Sequence, residues 1–248
     1  MIGFEKIFRH IKSGTLIKAI MRKLSQISLK GKPPIGDEYY GDKARNYLDH
    51  RDSDTFWNRE HEVLSNEFQT LEECKNRKVL DIPFGTGRFV DLYLSHDIKV
   101  YGLDSSKDML NVSKELLKER YEYCSLNVGL SNELPYEDDF FDLLVCFRFI
   151  PWVVSYRQVL LSLEEFHRVL ALKGVALLEF SLNMSNSFIN EKNIDKESII
   201  WDQLNQEQII KMLKENGFLV KKIIFISDDE ENPNMHLFTC VKNEDELN

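Results

Sequence analysis

The stretch KVLDIPFGTGRF, Lys78 to Phe89, and the stretch KVYGLDSS, Lys99 to Ser106, together decide the reading of this chain. The first is a short apolar run closed by Asp81, then a turn with Gly85 and Gly87, then an amphipathic stretch. The second is another apolar run, closed by Asp104. The pattern predicts strand, glycine turn, helix, strand, acid. In an open α/β sheet, ligands gather at the carboxyl ends of the strands. Glycines after the first strand let the backbone approach a ligand closely. An acid ending the second strand is placed to accept hydrogen bonds from ribose hydroxyls. The pair points to a nucleoside-containing cofactor. Each feature alone also has a structural explanation, because glycine turns join many strands to helices and an Asp after a strand commonly caps a helix.

Two cofactor classes fit this outline. Dinucleotide sites use G-x-G-x-x-G, whose third small residue lets helix and strand pack closely. Here the run from Gly85 is G-T-G-R-F-V, so Val90 fills the third position, and Pro83 stands where a first glycine is often found. A pyrophosphate cradle is poorly supported. The segment instead resembles motif I of the class I S-adenosylmethionine-dependent methyltransferases, with Leu80, Asp81, Gly85, Thr86 and Gly87 matching and Pro83 departing from it.

The resemblance runs on through the chain. LPYEDDFFDLLVCF, Leu134 to Phe147, looks like the approach to the family's fourth strand, with Asp142 at its start. Glu164 to Phe180 resembles the following helix, a turn with Gly174, and the fifth strand. Glu207 to Ile226 looks like the last helix, a Gly217 cap and the sixth strand, and Leu237 to Asn243 the seventh. The fold implied is α/β and doubly wound: a mostly parallel seven-stranded sheet with an antiparallel last strand, helices on both faces and a helical N-terminal cap. The alternation of strands and helices from Lys78 to Phe180 independently implies a parallel sheet covered on both sides.

By resemblance, Asp81 and the backbone of Gly85, Thr86 and Gly87, with Pro83 in the same loop, hold the methionine end of S-adenosylmethionine. Asp104 meets the ribose, while Ser105 and Met109 flank the adenine. Leu130 stands where relatives often carry an acid facing the adenine amino group, leaving residues 129 to 131 to contribute backbone contacts. The segment after the fourth strand, CFRFIPWVV, faces the expected transfer zone, with Pro151 and Trp152 where many relatives have a His pair. No dedicated base is identified, and methyl transfer from a sulfonium depends mainly on alignment and exclusion of water. Arg148, Trp152 and His50 are the candidates for the acceptor pocket, with His61 the other cap histidine. An arginine in an apolar run needs a partner: either a substrate carboxylate or phosphate, or an internal salt bridge to a cap acid.

The chain has 248 residues, 43% hydrophobic, enough for one α/β domain with an extension. Its four cysteines, Cys74, Cys124, Cys146 and Cys240, show no C-x-x-C pairing, and no His cluster has metal-ligand spacing, so no metal site is expected. Thiols in apolar runs favour a reducing compartment, and no span-length apolar run or cleavable leader is evident. The net charge is −9, but residues 1 to 35 hold eight Lys or Arg against one acid, Glu5, a balance of +7 that leaves −16 on the rest. An acidic catalytic domain argues against nucleic acid as a partner.

The expected division is 1–35 as a basic amphipathic extension and linker, and 36–248 as the methyltransferase domain, with a cap at 36–75 and a core at 76–248. Basic amphipathic helices over residues 1–30 either lie on an anionic membrane or pack on protein. The expected location is cytoplasmic, with peripheral membrane contact under the first reading. The aromatic cap offers Tyr39, Tyr40, Tyr47 and Trp57 as pocket wall or as helix packing. Leu182 to Asp202 is long and polar for a loop and reads as a substrate insert or lid.

The function implied by the resemblance is methyl transfer from S-adenosylmethionine to a small-molecule or lipid- or glycan-linked acceptor, with oxygen as the methylated atom. Two rival readings remain open at this level: a NAD-type oxidoreductase, and a catalytically inactive methyltransferase-like partner subunit.

Overall fold

The computed structural model describes residues 39–48, 55–71, 77–152, 156–183, 204–227 and 234–243. The basic extension, His50, Cys74, most of the expected lid and the acidic loop before the last strand lie outside the described residues. The strands are β1 (Lys78–Asp81), β2 (Lys99–Asp104), β3 (Cys124–Val128), β4 (Phe141–Cys146), β5 (Leu170–Ser181), β6 (Phe218–Ser227) and β7 (Met235–Lys242). The helices are α1 (Asp42–Arg45), α2 (Thr55–Thr70), α3 (Val90–Ser95), α4 (Lys107–Leu117), α5 (Tyr156–Val169) and α6 (Gln206–Glu215).

The sheet order is β3-β2-β1-β4-β5-β7-β6. Strands β1 to β5 pair in parallel, and β7 runs antiparallel between β5 and β6. The chain reverses its direction of winding where it crosses from β3 at one edge to β4 beside β1, the position at which such sheets open a ligand crevice.

The burial of the strands explains their unbroken apolar runs. In β1, neighbouring Val79 and Leu80 point to opposite faces and both are buried. Val79 joins one core with Phe56, Leu64 and Phe68 of α2, Tyr93 of α3 and Leu117 of α4. Leu80 joins the other, with Leu163 and Phe166 of α5 and Ile209 and Leu213 of α6. Helix α6 opens with a capping box, in which Asn205 accepts from the Gln208 N–H and Gln208 returns a bond to the Asn205 N–H.

Two expectations are corrected. The strand–helix alternation breaks between β3 and β4, because residues 129 to 140 form no helix. Pro135 disfavours one, and the loop is organised by charge instead: Arg168 donates to the carbonyls of Tyr136 and Leu134, while Glu165 accepts from the Leu134 N–H. Gly174 lies not in a turn before β5 but within it, at a bulge where the register against β4 jumps from Phe141–Leu170 to Leu143–Val175.

Gly102, in the middle of β2, carries a packing role that its sequence did not announce. A Cβ there would come within 2.2 Å of the Phe84 ring. Its absence lets Phe84 bury beneath the turn after β1 and set that turn's height over the sheet.

Candidate active site

A cavity of about 300 Å³ opens at the carboxyl ends of β1, β2 and β4. One wall is the turn from Asp81 to Thr86, and it continues through Asp104, Ser105 and Met109 to Gly129, Leu130 and Ser131. The opposite wall is formed by Tyr39, Tyr47 and Trp57 of the cap, with Arg88, Phe89, Phe147, Arg148, Phe149 and Trp152.

Of the cofactor residues expected from sequence, Asp81, Pro83, Gly85, Thr86, Asp104, Ser105, Met109 and Leu130 are brought to this one cavity. Gly87 does not line it. Its φ is +74°, and a Cβ there would meet Leu117 and Phe84, so it is a turn and packing glycine. The Ile82–Pro83 peptide is cis. Gly85 has φ +56°, a backbone state that a side chain would strain. The Asp104 carboxylate holds the turn in place: Gly85 N–H donates to Oδ2 at 2.8 Å and Ser106 N–H to Oδ1 at 2.8 Å. Burial raises the Asp104 pKa, and the amide donors oppose the rise. Burial pushes Asp81 up to about 8, with the Arg88 guanidinium opposing. The enclosed Tyr93 hydroxyl stands by Asp81 without a well-formed hydrogen bond.

The cap is laced to the same rim. The Ser106 hydroxyl accepts from the Met109 N–H as the N-cap of α4 and donates to the Tyr39 carbonyl, while Gly41 N–H donates to Asp108. Tyr40 does not reach the cavity, being exposed and donating to the Ser105 carbonyl. Trp152 lines the cavity but is 44% exposed. His61 does not line it, and packs against the Phe89 ring instead. Its pKa is lowered by burial and by the neighbouring Arg88 charge.

Arg148 pairs with a cap acid. Its Nε donates to both oxygens of Glu60, at 2.9 and 3.1 Å. Arg88 donates from Nη1 to Glu60 Oε2 at 2.7 Å, so one buried carboxylate serves two arginines of the cavity wall. Both guanidiniums lie over Trp57, with Arg88 also over Phe89 and Arg148 over Phe56. Behind them lies Glu179 of β5, which accepts the Arg148 N–H at 2.7 Å and holds that residue at φ +53°. Burial and the adjacent Glu60 carboxylate raise the Glu179 pKa well above the usual range. Its buried Oε1 has no hydrogen-bond partner among the described residues.

Sequence reasoning did not single out Glu60, Arg88 or Glu179. Glu179 carried a readable signal, a lone acid between Leu178 and Phe180 in an apolar strand. Glu60 carried a weaker one: with Glu67 it falls on the same helical face as Phe56, Val63 and Leu64. Glu67 anchors the other end of α2, accepting from Lys222 and Thr239.

Residues 80–178 match the family described as "Methyltransferase domain". That segment, with the seven-stranded order and the cavity at its switch point, is similar to the class I S-adenosylmethionine-dependent methyltransferases. A demethylmenaquinone methyltransferase of Alkalihalophilus pseudofirmus is 32% identical over 148 residues, covering 50% of this chain and 61% of that protein. A ubiquinone/menaquinone biosynthesis C-methyltransferase of Campylobacter jejuni is 32% identical over 123 residues, covering 46% and 49%. The chain thus spans about half to three-fifths of the length of those relatives. Among solved structures, the Burkholderia thailandensis 1,6-didemethyltoxoflavin-N1-methyltransferase, with bound 1,6-didemethyltoxoflavin and S-adenosylhomocysteine, superimposes with a TM-score of 0.62 at 14% identity, over 82% of this chain and 86% of that one. At that identity the likeness concerns the fold alone. Among the described residues no helix is long and apolar enough to cross a membrane, and no acid, His and Cys cluster could hold a metal ion.

Proposed function

We propose that this chain transfers the methyl group of S-adenosylmethionine to a small acceptor bearing a hydroxylated aromatic ring. The observation that carries the reading is the single cavity shared by Asp81, Gly85, Asp104 and Met109 on one wall and by Tyr47, Trp57, Phe147 and Trp152 on the other. The first wall suits the cofactor: two acids at strand ends, and a glycine whose Cβ would project toward Met109. Asp81 would hold the amino group, Asp104 the ribose, and Met109 with residues 129 to 131 the adenine. When bound, S-adenosylmethionine supplies an electrophilic methyl group on a sulfonium sulfur. The chain's own residues enclose the acceptor's ring and hold it in line. The relatives, a demethylmenaquinone methyltransferase and a ubiquinone/menaquinone biosynthesis C-methyltransferase, favour a ring of that kind. They set carbon beside oxygen as the atom methylated, and a hydroxylated ring offers both.

The direct test mixes the protein with S-adenosylmethionine and a soluble 1,4-naphthohydroquinone and follows S-adenosylhomocysteine formation. Mass spectrometry and NMR of the product then identify the methylated atom. Turnover is expected on the hydroquinone and not on an aliphatic alcohol, and the reverse order would discard the aromatic acceptor.

A second test reads Asp81. With its pKa near 8, Asp81 is largely protonated at pH 7 in the free protein. A cationic amino group beside it favours the carboxylate, so binding must expel the proton. Cofactor affinity should therefore fall as pH drops below about 8, and binding at pH 7 should release a fraction of one proton. Calorimetry with S-adenosylhomocysteine in phosphate and in Tris should give different enthalpies, a difference that Asp81→Asn erases. Equal enthalpies in the two buffers would take Asp81 out of the cradle.

A further inference from the structure

Tyr93 of α3 is fully buried and packs against Phe68 and Phe89, with ring centroids 5.6 and 6.4 Å away. Its backbone is tied down: the N–H donates to the Phe89 carbonyl, and the carbonyl accepts from His96 and Ile98. The side-chain hydroxyl is enclosed and has no hydrogen-bond partner among the described residues. A phenylalanine would fill the same space without that cost, because a buried hydroxyl left unpaired forfeits the hydrogen bonds it makes in water. Orphaned buried polar groups are rare in folded proteins, and each calls for a partner that completes it. The polar group beside this hydroxyl is the Asp81 carboxyl, at the end of β1. Asp81 lines the cavity, whereas Tyr93 does not and belongs to the core that includes α2. The carboxyl thus has the cavity on one side and the tyrosine on another. Two other groups act on Asp81, and both are already engaged. Arg88 acts through its charge while donating to Glu60, and the Asp104 carboxylate is held by the Gly85 and Ser106 amides.

We propose that Tyr93 is a positioning residue of the cofactor wall, whose hydroxyl donates to the Asp81 carboxylate from the core side when a ligand's cationic amino group meets that carboxylate from the cavity side. This inference rests on the methyltransferase reading above and deepens it at the amino-acid end of the cofactor. A carboxylate offers about four acceptor positions, room for both donors at once. A cation beside Asp81 favours its charged form, and a hydroxyl binds a charged oxygen roughly twice as strongly as a neutral one. The O–H that is orphaned in the free protein therefore gains its partner on binding. Rotation about its C–O bond aims it, and the bond keeps the carboxylate from turning away from the ligand. Tyr93 acts only through Asp81.

The test compares two ligands by calorimetry on the full chain. S-adenosylhomocysteine carries the amino group, and 5′-methylthioadenosine shares its nucleoside and sulfur but has no amino-acid end. The unaltered protein should bind S-adenosylhomocysteine the more tightly. Tyr93→Phe should weaken S-adenosylhomocysteine about tenfold, the effect of one hydrogen bond to a charged group, and leave methylthioadenosine unchanged. The free Tyr93→Phe protein should melt no lower than the unaltered one, because the hydroxyl it loses had no partner. A loss of affinity for both ligands alike, or for neither, overturns the proposal. So does equal affinity of the unaltered protein for the two. A Tyr93→Phe protein that melts lower or does not fold also overturns it, since the hydroxyl then serves a bond in the free fold. If the unaltered protein binds neither ligand, the methyltransferase reading itself fails. If it prefers S-adenosylhomocysteine and Tyr93→Phe keeps the full preference, only this inference fails.

Discussion

Glu60→Ala should lower the stability of the protein by about 3 kcal/mol, the low end of the cost of stripping one partner from a buried ion pair. The low end applies because the two arginines keep a little access to water, at 12% exposure each. The substitution leaves both guanidiniums without their common acceptor and cuts the tie between cap helix α2 and the loop after β4. For a domain of this size the melting temperature should fall by roughly 6–12 °C. Glu60→Gln keeps an acceptor oxygen and should cost clearly less. A thermal melt in which Glu60→Ala matches the unaltered protein would mean that the cluster contributes nothing to holding the cap.

Asp104→Ala should weaken S-adenosylhomocysteine binding by about 1.5–3 kcal/mol, roughly 10- to 150-fold. The structure gives this a second cause besides a lost ribose contact. The same carboxylate accepts from Gly85 and Ser106, so its removal also frees two amide groups and the turn they hold. Hydrogen exchange at those amides separates the two contributions, because a direct ligand contact leaves them protected in the free protein. Unchanged affinity in a folded Asp104→Ala variant would remove Asp104 from the cofactor site.

Much of the fold was legible because its signals are local. Apolar runs such as Lys78–Asp81 and Phe141–Cys146 are continuous because both faces of a central parallel strand are buried, and this shows in composition alone. Gly217 closes a helix at φ +79°, and Asn205 with Gln208 opens one, by short-range chemistry. The helix-free crossover at residues 129 to 140 was not legible, because Arg168 and Glu165 on a distant helix supply its hydrogen bonds. Gly102 was not legible either, since the ring that forbids a side chain there comes from Phe84, eighteen positions earlier.

The site divides along the same line. The wall proposed for the cofactor follows from residues close together in sequence, at the ends of β1 and β2 and in the turn between them, where the strand–turn–helix geometry dictates which atoms face the crevice. By itself the sequence therefore determined the fold class and the residues that the ends of β1 and β2 and the turn between them bring to the cavity, Asp81 and Asp104 included. The wall proposed for the acceptor joins residues from the cap, from α2 and from the loop after β4. Whether Arg148 meets a ligand or an internal acid depends on where Glu60 lies, 88 positions away. Only the tertiary structure decided that Arg88, Arg148 and Glu60 share one buried site backed by Glu179. The reason is physical: a buried charge takes its partners from whatever the packing of distant elements brings within hydrogen-bond reach, and no local pattern encodes that distance.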